Sequence, residues 1–246
     1  MKKPRVAFFD FASCEGCQLQ VVNLEEDLLQ VLEAVDVVCF REAMKEHSDD
    51  YDIAFVEGSI TRRSDEARLK EIRKNAKVLV ALGSCATLGG INCIKNFQEL
   101  DYVRKFVYGE KASNYETYAT RPPKAVVPVD FEIHGCPINR KEFTMVVKAL
   151  LLGKKPEVPN YPVCVECKMA GNICVFELGM TCMGPVTRAG CAACCVTEGS
   201  ICWGCRGLVD DPNVDSEREI LATHGLSVND ILNKFRLYTG FSEVAK

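Results

Sequence analysis

Cysteine constrains this chain more than any other residue type: fifteen of the 246 residues are cysteine. Nine of them fall between Cys164 and Cys205, in a stretch with no sustained helical or strand period. A segment of that kind cannot hold itself together with a hydrophobic core, so bound inorganic groups are expected to act as its core. A disulfide framework is the competing explanation. The opening MKKPRVAFFDF resembles a charged leader at first, but Asp10 interrupts it, no longer apolar stretch follows, and no twin arginine is present. It reads instead as a β-strand, and the protein as cytoplasmic, where thiols stay reduced. Metal or cluster ligation is then the expected use of so many cysteines.

Apolar residues make up 48% of the chain, which is a globular composition with no case for disorder. A formal net charge of −4 offers no basic face to a nucleic acid. No apolar run approaches the ~20 residues of a membrane span.

Up to about residue 157 the pattern alternates. Arg5 to Phe11 is a strand-like run, residues 18–34 carry Leu19, Val22, Leu28, Leu29 and Leu32 at mostly helical spacing, and Val35–Phe40 and Ile53–Val56 are two more strands. Ser64–Asn75 predicts a surface helix with Ser64, Asp65 and Glu66 at its start. Val78–Leu82 is a buried strand, Ala125–Ile133 contains another, and Arg140–Leu152 is a helix stopped by Gly153 and Pro156. This order predicts an α/β fold, a flavodoxin-like doubly wound parallel sheet over residues 1–157. Residues 158–246 are expected to form a smaller, irregular cluster domain, closed by one or two helices over residues 214–238.

Within the first part, Cys14 and Cys17 lie in CEGC after the first strand, Cys85 in GSCATLGG after Val78–Leu82, and Cys136 in HGCP after Ala125–Ile133. Open α/β sheets build their sites at these carboxyl ends, where loops converge. Glycine in each loop lets backbone N–H groups approach a thiolate cluster. Four such thiolates match one [4Fe–4S] cluster; the alternative is unrelated core cysteines. In the second part the order is Cys164, Cys167, Cys174, Cys182, Cys191, Cys194, Cys195, Cys202 and Cys205. Each CxxC pair brings two sulfurs to one metal face and suits zinc as well as iron–sulfur. Eight or nine thiols exceed one zinc site and match two cubanes.

Together, CEGC, GSCA and HGCP in that order resemble the cluster-binding domain shared by nickel–iron hydrogenase small subunits and the small subunit of respiratory complex I. The tail, with YPVCVEC, CMGPVTRAGC and CWGCRG, resembles that of the cytoplasmic multimeric hydrogenases of sulfhydrogenase and viologen- or coenzyme-F420-linked type. The complex I relative lacks this tail. The resemblance spans residues 4–207 and implies three [4Fe–4S] clusters. Cys14, Cys17, Cys85 and Cys136 would hold a proximal one, and Cys164, Cys167, Cys174 and Cys182 a distal one. Periplasmic relatives have histidine where Cys164 stands. Cys191, Cys195, Cys202 and Cys205 would hold a medial one, with Cys194 the rival of Cys195. It further implies a nickel–iron large subunit as partner and further iron–sulfur or flavin subunits, with no catalytic residue on this chain. An electron-transfer subunit of a complex I-like assembly is the alternative, and a zinc-stabilised scaffold a third.

Cys39, in VDVVCF, reads as a core residue and Cys93 as a loop residue, neither a ligand. His134 reads as a donor to a cluster sulfur or as structural, and Arg188 and Arg206 as charge-offsetting or as surface and capping residues. Trp203 reads as a shield against water or a neighbour of the electron route. FMN is excluded because CEGC occupies the phosphate-loop position.

Overall fold

Five apolar runs too short for helices pair edge to edge: β1 (Arg5–Asp10), β2 (Asp36–Phe40), β3 (Ile53–Glu57), β4 (Val78–Leu82) and β5 (Phe131–Ile133). In the computed structural model, which describes residues 3–242 and 245, all four pairings are parallel. The order is β2-β1-β3-β4-β5, the doubly wound flavodoxin-like arrangement. The ends of the chain at residues 1, 2, 243, 244 and 246, including the start of the leader-like stretch, lie outside the described residues.

The sheet is buried on both faces, which explains its continuous apolar runs. α1 (Gly16–Val22), α2 (Glu26–Ala34) and α6 (Arg140–Leu151) cover one face, where Phe8 stacks on Phe40 and Phe55 at 4.4 and 4.9 Å. α3 (Arg63–Asn75) covers the other through Leu69 and Ile72. α4 (Gly83–Leu88) follows β4 directly, and a 3-10 turn over Gly90–Phe97 leads to α5 (Leu100–Tyr108). Beyond Pro162 come two short helices, α7 (Val163–Met169) and α8 (Cys194–Thr197), then α9 (Val214–Thr223) and α10 (Val228–Thr239). Ser227 and Asp230 form a reciprocal capping box at the start of α10.

Several details depart from the sequence pattern. Residues 18–34 form two helices, because the chain turns at Glu25 (φ 58°) and buries Leu24. The inward face of α1 is Cys17, Gln18 and Val21, while Leu19, Leu29 and Leu32 are exposed. β5 is confined to three residues: the Val126 and Val127 amides turn back to the Pro123 carbonyl at 2.9 and 3.0 Å, and Pro128 has no amide to give. α3 begins at Arg63, and Asp65 accepts from the Thr61 amide at 3.1 Å ahead of it. Cys93 lies not in a loop but in the 3-10 turn, fully buried, its thiol 3.7 Å from the Thr120 carbonyl. Cys39 is half-buried on β2, facing the Phe8 carbonyl at 3.9 Å.

The cysteine-rich segment has little core of its own. Val163, Cys167, Val175, Cys182, Ala193 and Cys202 form one small cluster, and Met183, Val186, Leu221, Ile231 and Phe235 a second one under α9 and α10. Arg206 fastens this segment to the sheet domain. Only 1% exposed, it donates to Glu142 on α6 at 2.6 and 2.9 Å and to the carbonyls of Ala189 and His134 at 2.7 Å each. The Ser84 hydroxyl adds a bond to the Cys205 carbonyl. Among the described residues no helix is long and apolar enough to cross a membrane.

Candidate metal centre

β1, β4 and β5 end on one side of the sheet, and each releases a cysteine loop there. Cys14 and Cys17 flank the start of α1, Cys85 sits in α4, and Cys136 follows β5. Glu57 closes the buried β3, and its carboxylate accepts from the Cys17 and Gln18 amides at 3.1 and 2.9 Å. That contact fixes the CEGC turn over the sheet edge, and nothing in the cysteine spacing announced it; an acid ending an apolar strand was the only signal. Burial, then Glu57, pushes the Cys17 thiol well above its ordinary range, with Cys136 and Cys85 adding to the effect. Burial likewise pushes Cys85 up to about 12, helped by Cys136 and Cys14. The four thiols are therefore mutual electrostatic neighbours. Buried thiols set this close together need a cationic group to become thiolates together, as iron provides.

The second group gathers on α7 and the turns after it. Cys164 is raised to about 11, by burial first and then by Cys182, Cys167 and Cys174. A Cβ added at Gly184 would stand 3.3 Å from the Cys182 sulfur and 3.5 Å from that of Cys164, so this glycine leaves the space between sulfurs open.

The third group is less closed. Ala192 and Ala193 adopt left-handed φ of 54° and 51°, which turns the Ala193 amide back onto the Cys191 sulfur. Cys205, raised to about 11 by burial, has Cys191, Cys136 and Cys195 around it. Cys194 instead meets Cys195 and Cys191. The Cys182 sulfur accepts from the Gly184 and Cys202 amides at 3.4 Å each, which sets Cys202 beside Cys182, and Cys191 packs against the same small cluster. These donors hold Cys182 toward the thiolate. Glu166, between the cysteines of CVEC, accepts from the amides of Gly190 and Cys191 at 2.9 and 3.3 Å and ties the second group to the third.

Among the described residues, no three of His, Cys, Asp and Glu are close enough to share a single ion. Zinc requires four donors on one ion, whereas each cysteine of a cubane binds its own iron. The donor chemistry, all sulfur with backbone amides beside it, suits iron–sulfur clusters.

The flanking residues take structural roles. His134 is buried with its Nδ1 3.1 Å from the Thr87 hydroxyl, and burial drives its pKa down to about 3, so the ring stays neutral. Arg188 bonds Asp210 and Asn160 at 2.7 and 2.8 Å. Trp203 is half-exposed, with the Lys234 ammonium 5.1 Å from its ring centroid.

Residues 14–150 match the family of the 20 kDa subunit of NADH ubiquinone oxidoreductase, which covers more than half of the chain. The chain is also 35% identical over 219 residues to the sulfhydrogenase 2 subunit delta of Pyrococcus furiosus, covering 88% of this chain and 92% of that one. The chain belongs to this family. Within it, the chain sides with hydrogenase small subunits: it is 31% identical to a subunit of the F420-non-reducing hydrogenase vhu of Methanocaldococcus jannaschii, over 97% of this chain and 94% of the relative. The fold is that of an actinobacterial-type nickel–iron hydrogenase chain from Ralstonia eutropha H16 (TM-score 0.60, 16% identity, 95% of this chain and 88% of that one).

Proposed function

We propose that this chain relays electrons through three [4Fe–4S] clusters, between a partner large subunit carrying a nickel–iron, hydrogen-activating site and an acceptor module of further iron–sulfur or flavin subunits. The assembly works in the cytoplasm. What supports this reading is that cysteines from separate loops meet one another. Cys136 and Cys205 bring the first group against the third, and Cys182 and Cys202 bring the third against the second. Cys14, Cys17, Cys85 and Cys136 hold the proximal cluster, Cys191, Cys195, Cys202 and Cys205 the medial one, and Cys164, Cys167, Cys174 and Cys182 the distal one. Cys202 is assigned by its CxxC spacing to Cys205. The chain divides at 157/158, the first part presenting the proximal group and the second holding the other two.

Bound there, iron–sulfur clusters supply one-electron chemistry over a wide range of potentials. The residues of this chain fix spacing, exclude water and aim amide dipoles at sulfur. Glu57 and Glu166 hold the loops, and Gly83 (φ 83°) leaves room for Cys17. A Cβ at Gly83 would lie 2.2 Å from the Cys17 sulfur, and left-handed backbone costs an alanine roughly 1–2 kcal/mol. Gly83→Ala is therefore expected to lose about four iron atoms per chain, the content of one cubane. Wild-type iron content in the purified variant would reject that placement of Cys17.

The native complex, purified anaerobically, tests the reading. It should contain about twelve iron atoms per chain by the four-per-cubane count, acid-labile sulfide, a large-subunit partner and hydrogen-dependent acceptor reduction. A value near eight, or a native three-iron EPR signal, defeats the medial assignment. Zinc without sulfide defeats the cluster reading altogether. The match to the NADH ubiquinone oxidoreductase subunit favours a second reading, a complex I-like relay. Iron and sulfide without any response to hydrogen would select it.

A further inference from the structure

The cysteine motifs leave unexplained a cavity of about 340 Å³ at the carboxyl edge of the sheet. Ala12, two residues before Cys14, and Thr61, beyond β3, form part of its wall. These two loops are held together, since the Ala12 amide donates to the Ser59 carbonyl at 3.2 Å. Asn92 ties the 3-10 turn to the same place: its side-chain amide donates to the Ala12 carbonyl at 2.8 Å and to the Ser59 hydroxyl at 2.9 Å. α5 lines the cavity too, through Leu100, Val103, Arg104, Val107 and Tyr108. The cavity thus joins α5 to the loop that presents the first cysteine group.

Two features of this place call for a protein partner. The first is aromatic. No residue of α5 is buried, and Tyr102 and Phe106 are 61% and 80% exposed. Tyr102 stacks on Phe106 with centroids 6.2 Å apart, and Tyr108 on Tyr115 at 4.1 Å, so four rings are held in order at the surface. Exposed aromatic side chains grouped in this way mark interfaces. The second feature is charge. Arg62, Lys95 and Arg104 line the cavity, with Glu116 the one acid among its lining residues. Arg62 is paired with Asp65 at 2.9 Å and Arg104 with Asp101 at 2.7 Å. Lys95 has no such acid among the described residues; its ammonium, on a half-buried side chain, donates to the Thr117 hydroxyl at 2.5 Å. Burial lowers its pKa, and a carboxylate beside it would offset that penalty.

We propose that α5 and this cavity form a docking surface for the partner large subunit, with an acidic side chain of that partner seated beside Lys95 and apolar side chains of it covering Tyr102 and Phe106. The inference rests on the function proposed above, which sets the proximal group against the large subunit. Position and charge select this occupant. Ala12 leads directly into Cys14, so a chain that approaches the proximal group also reaches the cavity, whereas the acceptor module is served by the distal group on α7. The unmatched ammonium of Lys95 requires an acid, and a charge pair closed off from water at an interface fixes register and slows dissociation.

The test uses the native complex with the photo-crosslinker p-benzoylphenylalanine placed at Phe106 or, as a control, at Leu152, which is exposed at the other end of the sheet domain, just past α6. Irradiation should join the chain to the large subunit from position 106 and not from position 152. In parallel, Lys95→Met should retain roughly tenfold less large subunit per iron than the wild type on gel filtration, and Lys95→Arg should retain it. Cross-linking from position 106 to an acceptor subunit, to a second copy of this chain or to nothing overturns the inference, as does equal capture from position 152. A Lys95→Met complex that holds its large subunit like the wild type at equal iron content overturns it as well. Where Lys95→Met loses iron, the cross-link decides alone. A native complex without a nickel–iron large subunit overturns the function proposed above, and this inference with it.

Discussion

Arg206→Ala is expected to destabilise the chain by about 3–5 kcal/mol, the cost of stranding one member of a buried ion pair. For a chain of this size that corresponds to a fall of roughly 6–20 °C in Tm. Arg206 and Glu142 are 1% and 5% exposed, so the carboxylate left behind has no water to turn to. The variant also strips the Ala189 and His134 carbonyls of their donor. Those two carbonyls belong to the GPVTRAGC loop and to the residue two before Cys136, so the loss loosens two cysteine groups from opposite sides. Arg206→Lys should recover only part of the loss, because an ammonium cannot reproduce the guanidinium's two-pronged contact with Glu142. Thermal unfolding followed by circular dichroism measures this. A change below about 1 kcal/mol, the range of an exposed pair, would mean that the pair is not the joint between the two parts.

Cys195→Ser is expected to weaken or convert the medial cluster and to cut electron delivery to the acceptor at least as strongly as the roughly 10–100-fold typical of losing even an outer-shell partner. Serine oxygen is a harder, poorer donor for iron in a thiolate site. Cys205 has Cys191 and Cys195 as neighbours, which favours Cys195 as the fourth ligand; both Cys194 and Cys195 are exposed, so exposure does not separate them. Cys194→Ser should therefore keep both iron and activity. So should Cys39→Ser, apart from a modest packing cost. The series arrangement adds a sharper expectation. Hydrogen–deuterium exchange needs only the partner's site, so Cys195→Ser should spare it while acceptor reduction falls. Iron counts and the two activities decide the matter, and a cluster lost with Cys194→Ser but kept with Cys195→Ser would reverse the assignment.

The parallel sheet and the three strand ends that carry thiols were legible in the residues alone. Continuous apolar runs such as IAFV and VLVAL can be satisfied only by burial on both faces, and the cysteines that follow such runs have to emerge at the carboxyl edge. Motif order and the cysteine-rich tail also pointed to the family, because ligand spacing is a local property of the chain. The break at Glu25 was not legible: Leu19, Leu29 and Leu32 carry a helical pattern, yet burial of Leu24 between α1 and α2 decided which faces turn inward. α5 escaped the reading too, although Leu100, Val103 and Val107 stand at helical spacing in it; none of its residues is buried.

Which groups surround the sulfurs was settled by folding. Glu57 lies far in sequence from the CEGC turn it holds, and Arg206 sits beside one cysteine while bonding to another element. Arg206 adjoins Cys205, but its partner is Glu142, 64 residues away. A cysteine motif states what can bind because ligation is set by residue type and spacing over a few residues. The electrostatic setting of a bound group is set by burial and by long-range contacts, which exist only once the chain has folded.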